Sequence, residues 1–219
     1  MAPPITWKSM IEFAFVALTS VFFLVDPFAV IPTFLAITAD AAADRRRRMA
    51  KRAAWTCCLV LTGFALAGGL IFKMFSITLP AFKIAGGLVL LLVGMDMLQG
   101  RRSVTNESPD EAQEGAEKED AGVIPLGVPM LAGPGAISTV MVLMSESPRW
   151  WESIPIFVAI ALTSLASYLI LAAADRFRKR LGESGIRILT RMMGLLLVAI
   201  AVQFVLNGLA DVGVVKKLK

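Results

Sequence analysis

The sequence reads LVDPFAVIP at residues 24–32, where one carboxylate and two prolines stand inside a long run of apolar residues. Proline lacks a backbone N–H and its ring clashes with the preceding turn, so one continuous helix is not expected there. Asp26 followed by Pro27 is instead typical of an N-cap and the first residue of a new helix. The stretch therefore predicts a helix at membrane depth that breaks at Asp26 and restarts at Pro27.

A second stretch, PMLAGPG at residues 129–135, interrupts a later apolar run with prolines and glycines. Glycine accepts unusual backbone dihedral angles and lets other atoms approach the backbone closely. Irregular backbone at membrane depth is tolerated only where protein or a water-filled cavity satisfies its polar groups. We therefore expect two broken helices whose breaks face inward and toward each other.

The composition is that of an integral membrane protein. Of 219 residues, 57% are hydrophobic and 18% are charged, and the mean hydropathy is +0.72. A helix needs about 20 apolar residues to cross the hydrocarbon core. The first apolar run has no basic leader or small-residue cleavage site, so we expect it to stay in the mature protein. The apolar runs predict six spans, near residues 11–38, 54–72, 79–98, 124–145, 153–174 and 190–210.

The region 101–120 breaks this pattern, because it contains seven acidic residues. A segment of this composition cannot bury a core, and we expect a solvated, disordered linker. The chain then divides into a first three-helix repeat at 1–100, a cytoplasmic acidic linker at 101–123 and a second three-helix repeat at 124–219.

Basic residues are distributed unevenly between the loops. Of the 22 lysines and arginines, 15 lie in or beside the loops that follow spans one, three and five. Loops rich in lysine and arginine stay in the cytoplasm. We therefore expect a multi-pass protein of the cell (inner) membrane, with both termini outside the cytoplasm.

The two halves of the chain resemble each other. At an offset of 108, residues 83–100 align with residues 191–208 and place glycine on glycine twice. At an offset of 107, residues 26–29 lie on residues 133–136. Because each half holds an odd number of helices, the second half must enter the membrane from the opposite side. The prediction is an all-α membrane protein with six transmembrane helices, arranged as two inverted three-helix repeats with broken first helices.

The two breaks form the candidate substrate site. The freed amides and positive dipole ends of both half-helices converge near the membrane midplane, an environment suited to a carboxylate. Bulk at Gly135 is expected to block approach to the backbone with little loss of folded protein. The residues assigned to this site are Asp26, Pro27, Phe28, Gly133, Pro134 and Gly135.

Asp26 is the most costly residue in the chain, since a carboxylate near the bilayer centre must be paired, hydrated or protonated. It suits a coupling-ion site for a proton or a sodium ion. A permanent N-cap, with its charge offset by the half-helix amides, is the alternative. The sequence leaves both interpretations open.

Two further polar pairs are assigned to the substrate site. Ser138 and Thr139 fall one turn after the second break, where hydroxyls either line a cavity or bond back to their own helix. Gln203 and Asn207 are four residues apart on the last span and share one helix face. For this second pair, contacts between helices are the alternative to cavity lining.

Several features argue against an enzyme. The chain has no histidine, so the commonest general base and metal ligand is missing. The two cysteines, Cys57 and Cys58, are adjacent in an apolar run and are interpreted as core residues. We therefore expect no metal and no cofactor. We also expect no nucleic-acid partner, because the basic residues flank apolar spans.

Three classes of function are weighed, and the features above argue against the second. They are a secondary transporter, a membrane-embedded enzyme, and a structural or assembly factor whose breaks are only kinks. Paired interruptions in two repeats favour a transporter that works by alternating access. Its expected partners are a small-molecule substrate, a coupling ion and the lipid bilayer, and the sequence leaves open whether it forms an oligomer.

Two motifs resemble the hallmarks of the MarC family of integral membrane proteins. They are DPF at residues 26–28, followed by Pro32 and Phe34, and PLGVPMLAGPGAI at residues 125–137. The resemblance extends over nearly the whole chain and implies six spans around a central hydrophilic loop. Some similar proteins are regarded as transporters of small neutral amino acids such as glycine and alanine. The resemblance therefore implies a substrate of that kind.

Overall fold

The computed structural model describes residues 7–39, 41–99, 122–147 and 149–214. All regular structure in these ranges is helical. Most of the predicted linker at 101–123 lies outside the described residues, which resume at 122. The helices are α1 (Trp7–Val25), α2 (Pro27–Ile37), α3 (Ala43–Met74), α4 (Leu79–Gln99), a π-helical turn (Leu126–Leu131), α5 (Pro134–Ser145), a 3-10 turn (Trp150–Ser153), α6 (Ile154–Ala172) and α7 (Ala174–Asp211).

Five helical stretches in the described part of the chain are long and apolar enough to cross a membrane. They coincide with five of the six predicted spans. Large apolar side chains such as Leu66 and Leu92 are exposed on the outside of the bundle, as expected for a surface that faces lipid. The protein is therefore an all-helical integral membrane protein. The five stretches are Met10–Ile37, Ala43–Met74, Leu79–Gln99, Trp150–Ala172 and Ser184–Asp211.

The span predicted at 124–145 has a different structure. Val128 is extended (φ −135°, ψ 128°) within the π-helical turn, and helical structure ends before Ala132. The helix that follows, α5, has only 12 residues, fewer than the roughly 20 needed to cross hydrocarbon. Prolines explain the irregularity, because each one removes a backbone donor. Those prolines are Pro125, Pro129 and Pro134.

One glycine interrupts the last helix near its start. Gly182 has φ 64° and ψ 177°, a region that residues with a Cβ avoid. A Cβ built there would meet nothing within 4 Å, so backbone strain rather than space requires glycine. The interruption separates the basic residues at 176–180 from the apolar stretch Ser184–Asp211.

The most extensive helix contact joins α4 to α7, which run antiparallel. Two glycines bring these helices close. A Cβ on Gly94 would lie 3.0 Å from the Gly194 carbonyl oxygen, and a Cβ on Gly194 would lie 3.0 Å from the Gly94 carbonyl oxygen. Gly208 lies against the Pro80 carbonyl along the same contact. Small residues let helix backbones approach closely, which is how helices associate in lipid without a hydrophobic driving force.

The broken helices pack on the remaining long helices. The pair α1 and α2 packs on α6, whereas the π-helical turn and α5 pack on α3. In addition, α2 contacts α7 and α5 contacts α4. Each broken helix therefore contacts the second and third helices of the opposite half of the chain.

Helix ends define two faces of the bundle. The end of α2 and the starts of α3 and α7 meet at one face. It is named the Arg46 face, because Arg46 in α3 contacts the other two elements. The start of α4 and the ends of α5 and α7 meet at the other, named the Lys83 face. Helix α3 has 32 residues and so extends about 48 Å at 1.5 Å per residue. Its far end lies at the Lys83 face, where the rings of Phe72 and Phe82 have centroids 5.0 Å apart. The two faces therefore lie at opposite ends of the bundle.

Candidate functional site

The first break lies at Asp26, between α1 and α2. Asp26 has φ 41° and ψ 67°, a left-handed conformation that residues with a side chain seldom adopt. Its backbone N–H donates to the Phe22 carbonyl at 3.0 Å, and its Oδ1 accepts from the Ala29 N–H at 3.3 Å. Pro27 occupies the first position of α2. The predicted N-cap and helix break are confirmed.

The second oxygen of this carboxylate has no such contact. Asp26 is only 5% exposed, and its Oδ2 accepts no hydrogen bond from any described residue. A buried polar atom without a partner is costly, and an ionisable group inside the membrane is a functional position by default. The Oδ2 atom is therefore available for an ion, a proton or a ligand.

The second break lies between the π-helical turn and α5. Gly133 is the N-cap of α5 with extended backbone (φ −76°, ψ 167°), and Pro134 takes the first helical position. The Gly133 carbonyl accepts from the Ile137 N–H at 3.0 Å. Because glycine has no side chain to cap the helix, the first amides of α5 lack the carboxylate that Asp26 supplies to α2. The expectation of a second broken helix is confirmed.

The structure brings the two breaks together. A Cβ built on Gly135 would lie 2.9 Å from Leu90 Cγ and 3.4 Å from Leu24 Cδ1. Leu24 precedes Asp26 by two residues, so the start of α5 lies beside the end of α1. Leu90 is near the centre of α4 (Leu79–Gln99). Both breaks therefore lie near the middle of the membrane.

Two hydroxyl residues of α5, Ser138 and Thr139, are buried near the second break. A Cβ on Gly86 would lie 2.9 Å from Ser138 Oγ, so Ser138 faces α4. Thr139 is 2% exposed, and its Oγ1 has no hydrogen-bond partner among the described residues. The hydroxyl of Thr139 is therefore free for a ligand, like the Oδ2 atom of Asp26.

Phe28 and the polar pair on α7 occupy different surroundings. The Phe28 ring is half-buried and makes edge contacts with Phe22 and Phe177, with centroids 6.3 and 6.0 Å apart. Gln203 and Asn207 are exposed, and the Gln203 amide donates to Asn207 Oδ1 at 2.8 Å. The structure thus places this pair on the outer surface of α7, away from the breaks. At the breaks, Asp26, Pro27 and Gly135 are buried, Gly133 is half-buried and Pro134 is exposed.

Helix α6 contributes buried hydroxyls that the sequence analysis did not select. Thr163 Oγ1 and Ser164 Oγ are buried without a hydrogen-bond partner in the described ranges. Ser167 is also buried, and its hydroxyl donates to the Thr163 carbonyl at 2.8 Å. In the sequence, these residues are marked only by the grouping of three hydroxyl side chains within one apolar span. Such groups are so common in membrane helices that they do not indicate a site by themselves.

Ionic contacts at the two faces were not predicted from the sequence. Lys83 Nζ donates to Glu146 Oε1 at 2.9 Å and to Asp211 Oδ2 at 3.0 Å. At the other face, Arg46 pairs with Asp175. In the sequence, Arg46 indicates only topology, and Lys83 indicates only the internal repeat.

Metal-binding and cysteine chemistry were also considered. In the ranges that the structure describes, no group of three or more Cys, Asp or Glu side chains is arranged to hold a metal ion. Cys57 is buried, Cys58 is half-buried, and both are free thiols. The chemistry at the breaks is therefore that of backbone amides, hydroxyls and one carboxylate.

The described helices, with two breaks that meet inside the bundle, are the architecture of a polytopic integral membrane protein. Irregular backbone is tolerated at membrane depth where surrounding protein or a water-filled cavity satisfies its polar groups. The sequence pattern of MarC family integral membrane proteins matches residues 11–212. The chain belongs to this family, as the motifs at its two breaks predict.

Its relatives come from several organisms. A UPF0056 membrane protein of Methanocaldococcus jannaschii is 39% identical over 199 residues, which cover 91% of this chain and 97% of that protein. The UPF0056 membrane protein YhcE of Escherichia coli is 32% identical, with coverages of 87% and 89%. YvbG of Bacillus subtilis, also a UPF0056 membrane protein, is 32% identical, with coverages of 91% and 95%. No solved structure matches the chain.

Proposed function

We propose that this chain is a secondary transporter of small neutral amino acids or similar small metabolites. The observation that carries the proposal is the meeting of two helix breaks at mid-depth, beside a buried carboxylate with a free oxygen. Discontinuous helices of this kind form the substrate and ion sites of many secondary transporters. An enzyme is not proposed, because the residues at the breaks supply no base and nucleophile pair.

The half-helices supply the binding chemistry in this proposal. The N-termini of α2 and α5 carry partial positive charge, which attracts a carboxylate. The amides of α5 are the better candidates, because Gly133 offers no capping side chain. Thr139 Oγ1 adds a hydroxyl one turn further on. Asp26 is assigned to the coupling ion, because its Oδ2 is an acceptor without a donor.

Alternating access is proposed to use two inverted three-helix repeats. Each half of the chain supplies a broken helix, then a long helix, then a third helix. The half-helices α2 and α5 have similar lengths of 11 and 12 residues. The third helices, α4 and α7, pack against each other, as expected when a pseudo-two-fold axis passes between equivalent elements. Rocking of one repeat against the other would then expose the breaks to each side in turn.

The location proposed for the protein is the cell (inner) membrane, with the Arg46 face in the cytoplasm. The support is the basic character of that face, where residues 45–48 are all arginine. Loops and helix ends of this composition are retained on the cytoplasmic side.

A structural or assembly role is the second candidate. Leu90 and Leu24 pack closely around Gly135, and a filled core at the breaks is what kinks without a transport function would show. In a transporter, the same contact belongs to a closed state from which Leu90 must withdraw.

The test is a screen of labelled amino acids in liposomes that contain the purified protein, with proton or sodium gradients imposed. The proposal expects saturable uptake of a small neutral amino acid that depends on one of these gradients. Uptake equal to that of protein-free liposomes for the whole panel, by a correctly folded protein, would leave the structural role.

A further inference from the structure

We propose that Lys83 and Arg46 form two ionic clasps that hold the outer ends of half-helices α5 and α2, each closing one face of the protein. The inference rests on the proposed alternating access and adds the groups that control it. Each half-helix begins at a break and ends at a clasp, so a half-helix cannot tilt away until its clasp opens.

The Lys83 clasp joins three helices. Glu146 is the C-cap of α5, and Asp211 is the last residue of α7. The Lys83 side chain is 10% exposed and contacts both carboxylates, at 2.9 and 3.0 Å. A lysine buried to this degree requires such partners, because removing them leaves a buried charge uncompensated. The clasp therefore ties α5 to α4 and α7 at the Lys83 face.

The Arg46 clasp does the same for α2 at the other face. Thr38 is the C-cap of α2, and its carbonyl accepts from Arg46 Nε at 2.9 Å. The Ala39 carbonyl accepts from Arg46 Nη2 at 3.1 Å, and Nη1 pairs with Asp175 in the first turn of α7. A guanidinium at a helix C-terminus also interacts favourably with the negative end of the dipole. The clasp therefore ties α2 to α3 and α7.

The two clasps are equivalent in position although their residues differ. Both act on the C-terminal end of the second half of a broken helix, and both use an acidic residue at one end of α7. Because Asp175 and Asp211 stand at opposite ends of that helix, the clasps lie on opposite faces. Both are closed in the structure, and Leu90 covers Gly135 between them. The arrangement is that of a state closed to both sides.

The test measures access to the breaks from each face separately. A reporter cysteine replaces Ser138 in a chain in which Cys57 and Cys58 are alanine. Right-side-out and inverted membrane vesicles are treated with a membrane-impermeant maleimide. Lys83→Gln should raise labelling from the Lys83 face about tenfold and lower it from the Arg46 face. Without its clasp, the protein moves from the closed state to the state open at the Lys83 face. Arg46→Gln should have the opposite effect.

Matched variants separate a clasp from a general effect of charge. Lys73→Gln and Lys51→Gln remove exposed lysines of α3, one near each face, and should leave both labelling rates unchanged. Lys83→Arg keeps the charge and should label like the parent. Where a glutamine variant does not fold, a second variant opens the same clasp. Glu146→Gln separates α5 from Lys83, and Arg46→Lys keeps the charge at the other face but removes the forked contact with the Thr38 and Ala39 carbonyls. Each should change labelling in the same direction as the glutamine variant that it replaces.

The proposal is overturned if folded clasp variants label like the parent at both faces, or if both variants raise labelling at the same face. This outcome differs from a failure of the proposed function. Opposite labelling changes in a protein that transports nothing uphold the clasps and reject transport. Substrate uptake with unchanged labelling would support transport and reject the clasps.

Discussion

Leu90, at the centre of α4, packs directly against Gly135 in the first turn of α5. The Leu90 Cγ atom is 2.9 Å from the position that a Cβ on Gly135 would occupy, and Cδ2 is closer still. The glycine therefore leaves room for a side chain from another helix. In the proposed transporter, the closed state depends on this fit between the second break and α4.

The first prediction is that Gly135 and Leu90 are energetically coupled. Gly135→Ala should destabilise the folded protein by about 1–3 kcal/mol, because the added methyl meets a leucine in a packed core. Leu90→Ala should also destabilise, through the cavity it leaves. The double variant should be more stable than the sum of the two single effects predicts, since the new methyl fills that cavity.

The measurement for this pair is a double-mutant cycle on thermal unfolding in detergent, followed by size-exclusion chromatography. Additive effects of the two substitutions would mean that Leu90 and Gly135 do not share one volume. Leu90 would then not be the side chain that packs against the second break.

The second prediction concerns the charge of Asp26. Asn caps helices as well as Asp does, so Asp26→Asn should keep the break and retain substrate binding. It should lose gradient-driven accumulation, because a neutral amide cannot titrate and is a poorer cation ligand. Asp44→Asn, an exposed change in the first turn of α3, is the matched control. Binding by calorimetry and uptake in liposomes are measured for both, and wild-type uptake by Asp26→Asn would leave Asp26 as a permanent cap.

The third prediction tests the contact between α4 and α7. A Cβ on Gly94 would lie 3.0 Å from both the Gly194 carbonyl and the Val198 backbone nitrogen. Backbone atoms cannot move aside cheaply, so Gly94→Ala should cost about 1–3 kcal/mol. Gly63→Ala provides the control, because a Cβ at Gly63 meets nothing within 4 Å. Equal melting temperatures for the two variants would contradict the close approach of these helices.

The fourth prediction assigns the two faces to sides of the membrane. Asp44 and Lys73 are exposed residues near opposite ends of the same helix, α3. In intact cells, an impermeant thiol reagent should modify a cysteine at Lys73 and not one at Asp44, because the arginine-rich end stays in the cytoplasm. The reverse pattern would invert the orientation and place the Arg46 clasp outside.

The sequence was sufficient to predict features that depend on local chemistry. Asp26 and Pro27 specify a helix start through capping and a fixed backbone angle, and the structure has that start. Five spans follow from apolar length alone. The structure of the span at 124–145 could not be predicted, because its three prolines and three glycines allow several irregular conformations. Packing on α3 decides among them.

Contacts between helices that are distant in the sequence could not be predicted. Lys83 pairs with residues 63 and 128 positions away, and nothing in the local pattern around Lys83 indicates either partner. The expectation of open backbone at Gly135 likewise could not include Leu90, whose position is set by the contact between α4 and α7. Bulk at Gly135 must therefore disturb core packing as well as any ligand, so loss of folding cannot be read as loss of a site.

Counterflow tests the central claim most directly, because it reports transport without knowledge of the coupling ion. Liposomes with the purified protein are loaded with unlabelled alanine or glycine and diluted into a trace of the labelled amino acid. The account predicts a transient accumulation of label above the equilibrium level, which disappears when the internal amino acid is omitted. Passive equilibration indistinguishable from that of protein-free liposomes, by protein that elutes as a folded species, would contradict it.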